Sequence, residues 1–245
     1  FYYKKCIPYL TAEKNYGILS RLYKEIGRAY MWMGNIAEMK NYYENGIAFG
    51  QKSDEYKGLQ AISDAYAEYH LDYDTSDTRL AEIRRYLDNS LYYLNKMKDD
   101  KDYEERAYNL DHLYGRYFHE KKVYSKATQY YLKAIRQAEP YFEGEKSRDM
   151  AKMYSNLAAT YLEEKQLHLV NESIKKGFLY LLPRYQHEEL PNEQDIDLEN
   201  TFVTLLDLKS QYYYQKFLEP DLVPNLDSAL LSLDMAMLEK KQLKE

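Results

Sequence analysis

The chain has 245 residues, with 34 Lys and Arg against 40 Asp and Glu, and a net charge of −6. Aromatic residues make up 16% of it and 30 residues are Tyr, so there is ample surface to bury and the composition is not that of a disordered chain. Its longest apolar runs, such as 178–182, fall far short of the roughly 20 residues a membrane-spanning helix needs, and a single cysteine, Cys6, excludes an internal disulfide framework and a cysteine-based zinc site.

The chain opens FYYKKCIPYL, with neither an initiating Met nor the basic-then-apolar pattern of a signal peptide, so either processing or a preceding region is expected and the compartment stays open between cytoplasmic and exported. Only 9 Gly and 6 Pro, with few Val-Ile-Thr alternations, predict an all-α chain broken by short turns. From the start, a half-unit at 1–15 precedes helix pairs at about 16–52, 56–98, 103–140, 147–184 and 198–243. Two connections are longer, at LDYDTSDTR (71–79) and FLEPDLVPN (217–225), and 187–200 carries six acids and no Lys or Arg, the signature of a linker. The fourth pair shows the pattern best. Tyr154, Leu157, Ala158 and Tyr161 line one helical face, Leu167, Val170, Ile174, Gly177 and Leu181 line another, and the polar 163–166 between them is a tight turn.

Three segments share one set of intervals, 3, 4, 5, 4 and 3: Gly27, Tyr30, Gly34, Met39, Tyr43, Gly46; Gly115, Phe118, Lys122, Ala127, Tyr131, Ala134; and Ala158, Tyr161, Lys165, Val170, Ile174, Gly177. Two antiparallel helices approach most closely where small residues face each other, while aromatics fill the wider gaps. This arrangement resembles the tetratricopeptide repeat (TPR). The resemblance implies an α-α superhelix, a single irregular solenoid over 1–245, with Tyr3 and Cys6 in the second helix of a truncated first unit. Cys6 is then expected to be a buried small residue. Lys209 and Met39 stand where the family has small residues.

The resemblance also implies a concave groove lined by the first helix of each pair. Carried over, the groove positions are Arg21, Lys24, Arg28, Met31 and Trp32; Lys57, Gln60 and Asp64; Asn109, His112, Arg116 and His119; and Lys152, Ser155 and Ala159. The site expected is Lys24, Arg28, Trp32, Gln60, Asp64, His112, Arg116, His119, Lys152 and Ser155. These residues look relatively basic, which favours an acidic or carboxylate-bearing peptide; the competing reading pairs Lys24 and Arg28 with Glu25 and its neighbours. The chaperone-tail-binding branch of the family has Asn where Arg28 and Ala61 stand, so the resemblance does not extend to it. Where two tyrosines adjoin, as in Tyr42-Tyr43, Tyr92-Tyr93 and Tyr130-Tyr131, one ring is expected inside and one outside.

No phosphate-loop, dinucleotide, zinc-protease or serine-hydrolase motif occurs. His112, His119 and Glu120 are the candidates for a rival helical enzyme, but three or four converging ligands are needed for a metal and two histidines do not supply them. Asp72, Asp74 and Asp77 read as a charged turn rather than a calcium loop, Asn171-Glu172-Ser173 as a chance glycosylation tripeptide, and scattered basic residues disfavour nucleic acid. The expectation is a non-catalytic protein- or peptide-binding scaffold or sensor region, without cofactor or metal. It is similar to TPR regions of large bacterial regulatory proteins, while 205–236 resembles the terminal repeat that precedes the peptidase domain of TPR-CHAT proteins.

Overall fold

Among the residues that the computed structural model describes (2–182, 185, 191, 200–218, 228, 230–235 and 237), every regular element is an α-helix and no strand occurs. The helices are α1 (Tyr2–Ala12), α2 (Tyr16–Trp32), α3 (Ile36–Lys52), α4 (Tyr56–Asp72), α5 (Arg79–Asn95), α6 (Tyr103–Glu120), α7 (Tyr124–Phe142), α8 (Arg148–Glu163), α9 (Leu167–Leu181) and α10 (Asn200–Phe217). The chain forms two compact units, Phe1–Lys121 and Lys122–Glu245. Within each, neighbouring helices pack in chain order, a solenoid-like arrangement of helix pairs. Most of the 187–200 linker and of the 217–225 insertion lies outside the described residues.

Turn chemistry sets where the helices stop. Lys14, Gly34, Asp54, Lys122 and Lys165 all take positive φ, between 51° and 71°, the left-handed conformation that ends a helix. At Gly34 the next amide closes the helix, Asn35 N–H donating to Tyr30 O at 2.9 Å, and the Asn35 side chain then accepts from Glu38 N–H at 3.2 Å. One residue therefore terminates α2 and caps α3. Asn15 does the same between α1 and α2, bonding Leu10 O and the Ile18 N–H. The longer 73–78 connection is closed by Asp74, which accepts from Ser76 N–H at 2.9 Å and lies 2.6 Å from His70 Nδ1. Asp74 is thus a loop-closing residue of a charged turn.

In the first unit, α2 packs on α3, and α4 packs on α2, α3, α5 and α6. The core is built from Met31, Met39, Tyr43, Ile62, Ala65 and Tyr66. Tyr43 meets Tyr66 edge-on at 4.9 Å and Tyr66 stacks on Tyr86 at 4.4 Å. A second row of half-buried rings, Tyr16, Phe49, Tyr23, Tyr42 and Tyr30, runs along the α2–α3 pair at centroid spacings of 5.4–5.7 Å. Lys4 Nζ reaches its end from α1, donating to Tyr30 Oη at 2.5 Å. The paired tyrosines differ in burial, but no pair splits fully into an inner and an outer ring: Tyr43 and Tyr131 are buried, Tyr42, Tyr93 and Tyr130 half-buried, Tyr92 exposed. Cys6 corrects its expectation, being exposed rather than buried. The reason is that α1 has α2 for a neighbour and buries none of its residues fully.

In the second unit α8 packs on α7, α9 and α10, and α9 on α10. A Cβ on Gly177 would lie 2.8 Å from Leu205 Cδ2, so the small residue admits α10 against α9. Lys209 occupies its small-residue position fully buried, 1% exposed, donating to Asn171 Oδ1 at 2.6 Å with its ammonium over the Tyr212 and Tyr213 rings. Asn171 of the glycosylation tripeptide is therefore engaged, and Ser173 is buried.

Candidate functional site

Three helices of the first unit, α2, α4 and α6, lie side by side with α4 in the centre, and polar links set the position of α6. Lys57 Nζ of α4 lies 2.8 Å from both Asp100 and Asp102, just before α6, and holds both carboxyls below their ordinary range. Arg106 Nη1 donates to Gln60 Oε1 at 2.9 Å, Arg116 pairs with Asp72, and Arg79 Nη2 from α5 reaches Glu120 at 2.6 Å.

Between the three helices runs a groove of about 350 Å³. Lys24 and Arg28 come from α2; Ala61, Asp64, Ala65 and Glu68 from α4; Glu105, Asn109, His112 and Leu113 from α6. Lys24 Nζ lies 2.6 Å from Glu25 Oε1 and Arg28 Nη2 lies 2.7 Å from Glu25 Oε2, so one carboxylate holds both cations. On α4, Asp64 Oδ1 accepts from Ser90 Oγ of α5 at 2.5 Å. Burial first, with the Glu68 charge adding to it, pushes the Asp64 carboxyl up to about 7 against the Ser90 bond, Arg106 and Lys24.

The residues expected at the site divide by helical face. Lys24, Arg28, Asp64 and His112 converge on the groove. Gln60 does not, being fully buried with its carbonyl on Arg106. Trp32 is 69% exposed beneath the Arg28 guanidinium, Arg116 is turned to Asp72, and His119 is half-buried away from the lining. Neither His119 nor Glu120 lines the groove with His112. Lys152 and Ser155 belong to the second unit, where Lys152 is exposed and Ser155 is buried. Glu68 and Glu105 were missed. Each sits one helical turn from a residue the sequence does place on the groove, Glu68 four after Asp64 and Glu105 four before Asn109, so following the same face at i±4 would have found both.

The second unit has a cavity of its own, about 320 Å³, between α7, α8 and α9. Tyr154 Oη donates to Glu139 Oε1 at 2.5 Å and accepts from Lys176 Nζ at 3.3 Å, a cross-link of three helices. Burial and Glu139 raise the Tyr154 hydroxyl well above its ordinary range, so it serves as a hydrogen-bonding post and not as a base.

The fold and groove define an all-α protein of stacked helix pairs with an open polar channel in its first unit. No protein-family model matches the chain, and no curated protein matches it.

Proposed function

We propose that the first unit is a non-catalytic, TPR-like recognition module whose α2–α4–α6 groove receives an extended segment of another protein, the chain serving as the scaffold or sensor region of a larger regulatory protein. The observation that carries this reading is the groove itself: three consecutive first helices contribute side chains to one open channel, the surface that helix-pair solenoids offer to a peptide. Its lining offers charged and amide groups, Lys24, Arg28, Asp64, Glu68, Glu105, Asn109 and His112, able to donate to or accept from a bound segment. The exposed Asn109 offers an amide able to bond both the N–H and C=O of an extended backbone.

The test is hydrogen exchange on the full chain, alone and with a pool of extended synthetic peptides. Bound peptide is expected to slow exchange in α2, α4 and α6, and Ala61→Phe, which fills the groove, to abolish the effect. Protection confined to other helices would refute the groove.

A further inference from the structure

The state of the charges in the groove says what its occupant carries. Its two cations already have a partner, because Lys24 and Arg28 share Glu25 at 2.6 and 2.7 Å. Its carboxylates are not so paired. Among the described residues, Glu68 and Glu105 have neither an ion pair nor a hydrogen bond, and Asp64 has only the Ser90 hydroxyl. Lys24 and Arg28 are thus engaged and Asp64 keeps its proton up to about 7, so the unpaired charges of the lining are the Glu68 and Glu105 carboxylates, although the sequence positions read as basic.

A second observation comes from behind the channel. The Tyr43 hydroxyl is fully buried without a hydrogen-bond partner, and it lies within the field of Glu68, Arg28 and Glu25. Tyr43 does not line the groove itself; its unsatisfied hydroxyl stands behind the Glu68 and Arg28 side chains that do. The spacing of the acids fits an extended chain. Asp64 and Glu68 stand one turn apart on α4, about 5.4 Å along the axis. Alternate side chains of a strand are about 6.6–6.8 Å apart on one side, a difference that flexible Lys and Glu side chains absorb.

We propose that the groove binds an extended segment carrying lysine or arginine at alternate positions, its cations taken by Asp64, Glu68 and Glu105 and its backbone by Asn109. This rests on the groove reading above and fixes the sign of its ligand. Asp64 is faced by Lys24 and Arg28 from α2, Glu68 on its own helix, Ser90 from α5, and Arg106 and His112 from α6. A bound cation favours the ionised carboxyl, so affinity rises with pH as Asp64 gives up its proton.

The experiment is fluorescence anisotropy of the full chain with two labelled probes, a short peptide of alternating lysine and alanine and its glutamate counterpart, at low and high salt. The lysine probe is expected to saturate and to weaken with salt. Glu68→Gln and Glu105→Gln should each reduce its affinity about two- to fivefold, the range of a partly exposed ion pair, with the unfolding midpoint unchanged. Asp64→Asn should flatten the rise of affinity with pH. If the glutamate probe binds instead and Lys24→Gln weakens it, the sign is overturned while the groove stands. Should the lysine probe bind Ala61→Phe and the Glu68→Gln/Glu105→Gln double variant as tightly as wild type, both the sign and the groove fall. Failure of the lysine probe to bind overturns the proposal.

Discussion

The ring of Tyr43 occupies the space in which a side chain at Gly27 would begin: its Cδ1 and Cε1 are each 2.4 Å from where a Cβ on Gly27 would stand. Between α2 and α3 the spacing of small and aromatic residues lays a ring of one helix on the bare backbone of its partner. Gly27→Ala is therefore expected to destabilise the protein by about 1–2 kcal/mol, overpacking outweighing the gain in helix propensity. Urea unfolding measures it, and a neutral or stabilising result would show that α2 and α3 can move apart freely.

Tyr43→Phe should act in the other direction. The hydroxyl is buried without a partner, so its removal is expected to stabilise by about 1 kcal/mol. A loss on the same scale would mean that the hydroxyl has a bonded partner in solution.

Lys165 stands where Gly34 stands in the first repeat, with φ of 58° against 71°. Lys165→Gly relieves a left-handed side chain and is expected to raise stability by about 0.5–1 kcal/mol. Gly34→Ala, which has open space around it and is penalised by backbone conformation alone, should lower it by about 1–2 kcal/mol. Thermal midpoints moving in the same direction for both would contradict the assignment.

Arg106 and Gln60 couple α6 to α4. Each also has a buried nitrogen without a partner, Arg106 Nε and Gln60 Nε2. Arg106→Met strands the Gln60 carbonyl and is expected to cost about 1–3 kcal/mol, whereas Arg106→Met with Gln60→Leu should return to within about 1 kcal/mol of wild type. Additive losses in the double variant would argue against direct coupling.

Two carboxyls give stability opposite dependences on pH. Asp64, raised to about 7 mainly by burial, keeps a proton that the unfolded chain releases near the ordinary 3.8, so stability falls as pH rises between those values. Asp74 is drawn down to about 2 by the Ser76 N–H first and His70 next; its contribution is complete above the ordinary value and is lost as pH falls towards 2. Relative to wild type, Asp64→Asn should gain more at pH about 7.5 than at about 4.5, and Asp74→Asn should lose more at pH about 6 than at about 2.5. An Asp64→Asn difference independent of pH would place that carboxyl in water.

The sequence by itself determined the helices, their turns and the places where paired helices touch. Those features rest on bonds between near neighbours, such as Asn35 N–H to Tyr30 O, and on intervals that put Gly27 opposite Tyr43. Even the pairing of Lys24 and Arg28 with Glu25 lies within one turn. Only the tertiary structure decided that Cys6 is exposed, that Lys209 is buried on Asn171, and that Gln60 faces Arg106 across 46 residues of chain rather than the groove. The sign of the groove was decided there too. Whether a carboxylate such as Glu68 or Glu105 is neutralised depends on which cations distant helices bring within about 4 Å, a distance that helical periodicity leaves open.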